Sequence, residues 1–114
     1  MHYQLHGRQE QDAPTLVLSA GLGGVGSFFA SDIPALGAHF RVLTYDQAGT
    51  GNSPATLAEG YGIRDMAEEL LGLLRELRIE RCQFMGHALG GLIGLELALL
   101  DPQLLTGLVL VNAW

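Results

Sequence analysis

Four short apolar runs punctuate the chain, at Thr15–Ser19, Arg41–Tyr45, Cys82–Met85 and Leu108–Val111. Each has the length of a strand, and runs that are apolar throughout suit a parallel sheet covered on both faces. Helical spacing fills the intervals. Ile63, Met66, Ala67, Leu70, Leu74 and Leu77 recur on one face, with Glu68, Glu69, Arg75 and Glu76 around the other. Leu89–Leu100 is apolar nearly all round, which predicts a central, buried helix. Asp101-Pro102 ends it, because the residue before a proline avoids the helical region. A weaker helical pattern runs from Phe28 to Phe40, with Pro34 placed in the first turn, where no N–H is needed.

Strands alternating with helices predict an α/β fold: a doubly wound, mostly parallel sheet. Right-handed crossovers restrict the layout. In the order 2-1-3-4 the first and third runs are neighbours at the switch point, and ligands bind beyond the C-terminal ends of such strands. Glycine-rich loops follow those same two runs, so a site is expected there.

Composition narrows the function. The 114 residues suffice for one small domain, and 48% are hydrophobic, enough for a core. Only 16% are charged, which predicts helices buried on more than one side. Net charge is −6 and every cation is arginine, with no dense basic stripe, so nucleic acid is not an expected partner. Cys82 is the sole cysteine, which excludes an internal disulfide and fits a small buried hydrophobe. The N-terminus lacks the basic start and apolar stretch of a signal peptide. The most apolar segment, Ala88 to Leu100, covers 13 residues and contains Glu96, too little to span a bilayer. A cytoplasmic protein without membrane contact is expected.

Three loops carry the candidate chemistry. Gly21-Leu22-Gly23-Gly24-Val25-Gly26 permits a sharp turn and a close backbone approach to a ligand, with N–H groups free to hold developing negative charge. It is equally readable as a tight strand-to-helix turn. Gly86-His87-Ala88-Leu89-Gly90-Gly91 has the glycine spacing of a nucleophile elbow, Gly-x-Ser-x-Gly, but Ala88 stands at the tip and has no oxygen with which to attack. Asp46-Gln47-Ala48-Gly49-Thr50-Gly51-Asn52-Ser53-Pro54 is a polar turn. His87 is expected to pack and hydrogen-bond rather than act as a base, and His2, His6 and His39 default to the surface. No residues have metal-ligand spacing, and no cofactor is expected. One rival pattern is present: Gly21, Gly23 and Gly26 follow a strand, and Asp46 ends the next, as in a dinucleotide-binding fingerprint. Phe28, Phe29 and Pro34 stand where a pyrophosphate-binding helix would begin, and that reading leaves the second glycine loop unexplained.

Together the three loops resemble the α/β-hydrolase superfamily. Ala20-Gly21-Leu22-Gly23-Gly24 is similar to its His-Gly oxyanion loop, with Ala20 in the histidine position. Asp46 to Ser53 is similar to Asp-x-Arg-Gly-x-Gly-x-Ser, with Ala48 at the arginine. Gly86 to Gly90 resembles the elbow. Ser19–Gly24, Tyr45-Asp46-Gln47, Gly49–Asn52, Thr56–Glu59, Gly86–Gly90 and Val111–Trp114 further resemble the Rut-pathway hydrolases of bacterial pyrimidine degradation, a subgroup that itself carries alanine at the tip.

The resemblance implies that residues 1–114 are the N-terminal part of such a domain, ending before the cap and before the triad acid and histidine. It implies a parent that hydrolyses a small carbamate or aminoacrylate from uracil breakdown. Leu22 and Leu89 would lend backbone N–H groups, Ala88 would floor the pocket, and Gly21, Gly23 and His87 would line it. A histidine outside the segment would activate water. The partner is a small-molecule substrate; an open sheet edge leaves a homodimer open as an assembly. Two alternatives stand beside this: a serine hydrolase or lactonase inactivated at position 88, and a non-catalytic binding protein.

Overall fold

A computed structural model describes residues 2–10, 12–20, 33–46 and 62–111. Among them lie strands β1 (Tyr3–Gly7), β2 (Thr15–Ser19), β3 (Arg41–Tyr45), β4 (Cys82–His87) and β5 (Leu105–Val111), and helices α1 (Ile33–Gly37), α2 (Ile63–Glu76) and α3 (Leu89–Leu100). The sheet order is β1-β3-β2-β4-β5, with β1 antiparallel to β3 and every other pair parallel. The four apolar runs therefore adopt the expected order, and β2 lies beside β4.

The strand β1 is additional to the expected elements. Tyr3-Gln4-Leu5-His6 alternates apolar and polar residues without forming an apolar run, and only pairing with β3, from Tyr3↔Tyr45 to Gly7↔Arg41, makes it a strand. His6 is half-buried and shares a 3.2 Å hydrogen bond with Thr44 Oγ1, so it belongs to this seam rather than to the open surface. His39 is exposed, as expected, and His2 is half-buried.

Strand alternation splits the core into two layers. Val17, Leu43, Tyr45 and Phe84 face α2 and α3, packing with Leu70, Leu74, Ile93 and Leu97. Leu16, Leu18, Ala20 and Val42 face the other side, towards Leu36 and Phe40. The strand β2 is buried at every position, as a central strand must be.

Helix ends are closed locally. The Gly62 N–H donates to Asp65 Oδ2 at 2.7 Å, which also places a carboxylate in the first turn of α2. At the other end Ile79 N–H donates to Leu74 O at 2.9 Å and Arg78 N–H to Arg75 O at 3.1 Å, a Schellman closure with Arg78 at φ 60°. Ile79 and Leu74 both enter the core, supplying the apolar contact of that motif.

The two long helices differ in how this segment covers them. The helix α2 is one-sided, with Glu68, Glu69, Arg75 and Glu76 exposed. The helix α3 is buried only along Gly90, Gly91, Ile93, Gly94 and Leu97; Leu99 is 73% exposed and Leu95 42%. The strand β5 likewise exposes Val109, Leu110 and Val111.

Cys82 opens β4 and is buried, as its sequence context predicts. Burial raises its thiol from an ordinary value of 9.0 to about 12. Thiolate, not thiol, attacks aryl disulfide reagents, so labelling of the folded protein at pH 8 is expected to be about a thousandfold slower than of the unfolded protein. The folded state holds a proton that the unfolded state releases. This contribution to stability is therefore complete below pH 9.0 and lost as pH climbs towards 12. Denaturant titrations across that window, with Cys82→Ala as the flat reference, check the sign.

Candidate active site

The strand β4 ends at His87 and α3 starts at Leu89, so the whole reversal is made at Ala88. Ala88 has φ 52° and ψ −120°, one of two described non-glycine residues with positive φ. Alanine in this region is strained by about 1–3 kcal/mol and persists only where its surroundings over-determine it. Those surroundings are identifiable. The Ala88 N–H donates to Val111 O at 2.8 Å, and its carbonyl accepts from Gly91 N–H at 2.9 Å. The flanking glycines permit the close approach: a Cβ on Gly86 would lie 2.4 Å from Gly90 O, and one on Gly90 would lie 2.1 Å from Ser19 O. Both distances are far inside van der Waals contact, so small residues at both positions are a steric requirement, as the elbow spacing predicts.

The elbow lies at the end of the sheet that the switch-point argument indicates. Ser19 pairs with Gly86, so β2 ends directly beside the turn. Gly21, Leu22 and Gly23 of the first glycine-rich loop lie outside the described residues, as do Ala48 and the rest of the polar turn after Asp46. Of the other candidates, Leu89 stands in the first turn of α3. No carbonyl within the helix can accept its N–H there, which is the property an oxyanion donor needs. The Ala88 N–H is already engaged by Val111 and cannot serve. His87 ends β4 half-buried, with its Nδ1 enclosed by protein.

Asp46, at the end of β3, is buried at 4% exposure, and its N–H donates to the His2 carbonyl at 2.9 Å. An acidic residue that reads a ribose hydroxyl must reach solvent, so this burial removes the dinucleotide reading. No group of three described His, Cys, Asp or Glu residues converges on a possible metal position. No helix among the described residues is long and apolar enough to cross a membrane.

A strained strand-to-helix turn between two small residues thus lies at the switch point of a parallel sheet. A family model described as the alpha/beta hydrolase fold matches residues 14–114. The chain belongs to the α/β-hydrolase family. Its relatives include a protein of Stutzerimonas stutzeri named "Putative carbamate hydrolase RutD", 63% identical over 114 residues, and one of the same name from Agrobacterium fabrum, 48% identical. Each alignment takes in the whole chain but only 43% and 44% of the relative. Among solved structures, the enol-lactonase from Burkholderia xenovorans superposes with a TM-score of 0.91 at 38% identity, over 98% of this chain and 43% of that one. A hydrolase from Pseudomonas aeruginosa does so with a TM-score of 0.89 at 39% identity, over 97% of this chain and 41% of that one. This α/β hydrolase thus spans about two fifths of the length of the proteins it matches.

Proposed function

We propose that the protein carrying this segment hydrolyses a small carbamate or an aminoacrylate of pyrimidine breakdown, with water rather than a serine as the nucleophile. The observation that carries the reading is Ala88 itself: the strained elbow backbone is kept at φ 52° although the residue there can form no covalent intermediate. What the turn still offers is the Leu89 N–H and a methyl-sized tip. A water can occupy the space a serine hydroxyl would take if polar groups surround it. The names of the RutD relatives support the substrate class.

The chemistry suits that substrate. In the imine tautomer of aminoacrylate, water adds to the C=N carbon while a general base takes its proton and passes it to the imine nitrogen. Breakdown of the resulting carbinolamine then cleaves the C–N bond and expels ammonia. A histidine outside this segment is the base, and the N–H groups of Leu22 and Leu89 hold developing negative charge. Substrates of this kind also decompose unaided, so a general-base gain of about 10²–10⁴ suffices.

The test uses the full-length protein, native and Ala88→Ser, assayed on carbamate, aminoacrylate and an aryl ester. Native protein is expected to accelerate loss of the carbamate or the aminoacrylate and to turn the ester over slowly, without a burst. Burst kinetics in the native protein would show a covalent nucleophile and end the proposal, as would no acceleration of either small substrate. The likeness to an enol-lactonase favours a second reading, an ester or lactone hydrolase that has lost its nucleophile. Ester turnover gained by Ala88→Ser, with neither small substrate consumed by the native protein, would select it.

A further inference from the structure

Ser19 and Tyr45 end the two central strands β2 and β3, one step beyond the last registered pair, Leu18↔Thr44. Their side chains meet on the α2/α3 side of the sheet, with Ser19 Oγ and Tyr45 OH 2.5 Å apart. Both residues are buried, Ser19 completely and Tyr45 at 3% exposure. Burying two hydroxyls in an apolar layer is unfavourable unless each has a partner, so this contact is held firmly.

The position of the contact gives it a second consequence. The main chain of Ser19 is the surface against which the elbow packs: a Cβ on Gly90 would lie 2.1 Å from Ser19 O and 2.6 Å from Ser19 C. Ser19 also pairs with Gly86, the residue at the other side of the elbow. Any shift of Ser19 is therefore transmitted to the first turn of α3, where the Leu89 N–H stands. We infer that the buried Ser19–Tyr45 hydrogen bond is a positioning pair, which holds the elbow in place for catalysis without touching substrate. This rests on the proposed location of the site, not on which substrate it takes.

The test measures steady-state kinetics of the full-length protein, native, Tyr45→Phe, Ser19→Ala and the double variant, with melting curves for each. A misplacement of about an ångström in a catalytic constellation lowers turnover by about a hundredfold. For each single variant kcat is expected to fall by about 10- to 100-fold, with KM changed less than about threefold and the protein fully folded. The double variant is expected to be no slower than the slower single variant, because the two hydroxyls act as one unit. Unchanged kcat, a loss matched by the unfolded fraction, or a rise in KM alone would overturn the inference. If Tyr45→Phe does not fold, Ser19→Ala is read in its place; unfolding of both would make the pair a fold determinant and likewise overturn it. If only the aryl ester is turned over, the proposed substrate fails while the pair is judged on the ester. If small substrates are consumed normally by Tyr45→Phe and Ser19→Ala, the pair fails and the substrate stands.

Discussion

Replacing Gly90 with alanine is expected to cost the protein at least about 3 kcal/mol, enough to leave it unfolded or to lower its melting temperature by roughly 10–20 °C. The new methyl would sit 2.1 Å from Ser19 O, 2.6 Å from Ser19 C and 2.7 Å from Ala20 O. All three are main-chain atoms at the end of the central strand, so no side chain can rotate away to relieve the clash. Relief requires β2 and α3 to separate, and β2 is bonded on both edges, to β3 and to β4. Ordinary overpacking of about 1–3 kcal/mol is met by small movements that this position does not allow. The control is Gly72→Ala in α2, where a Cβ meets nothing within 4 Å. There the better helix propensity of alanine should stabilise by up to about 1 kcal/mol. Circular-dichroism melts of both variants decide the matter; a Gly90→Ala protein within about 1 kcal/mol of native would refute the packing argument.

The second large effect is expected at Phe84. It is a fully buried aromatic in the middle of β4. Phe84→Ala should cost about 3–5 kcal/mol, the range for emptying an aromatic site in a close-packed core. Its ring lies where α3 has no side chain: a Cβ on Gly94 would stand 2.8 Å from Phe84 Cδ1 and Cε1 and 2.9 Å from Leu108 Cδ1. Phe84 and Gly94 therefore fit as a large–small pair. Gly94→Ala alone should destabilise by about 1–3 kcal/mol through overpacking, and should cost less in a Phe84→Leu background, where the ring is gone. Urea denaturation of the four proteins in this cycle gives the coupling. Strict additivity would show that the contact carries no energy of its own.

These two effects differ in how legible they are along the chain. The demand for glycine at position 90 is visible as the spacing Gly86-x-x-x-Gly90 around a tip residue, since that reversal can be built only between small neighbours. The demand at Gly94 is not visible, because Gly94 reads as a neutral member of an apolar helix until Phe84 is placed opposite it. The seam residues behave in the same way. Ser19 and Tyr45 are 26 positions apart, and nothing local marks them as partners. A tyrosine and a serine at the ends of two strands signal a pair only once parallel register puts those ends side by side.

Local pattern alone determined the order of strands and helices, the place of the elbow and the lack of a hydroxyl at its tip. Periodicity, glycine spacing and residue chemistry act over a few residues and do not depend on what packs nearby. Tertiary structure decided the rest. It made β1 a strand by pairing it with β3, buried Asp46 against the His2 carbonyl, and drew His6 into a seam with Thr44. Pairing partners, burial and exposure are relations between segments far apart in the chain. Apolar character sets only what a residue gains on being covered, and the packing of the other elements determines whether it is covered.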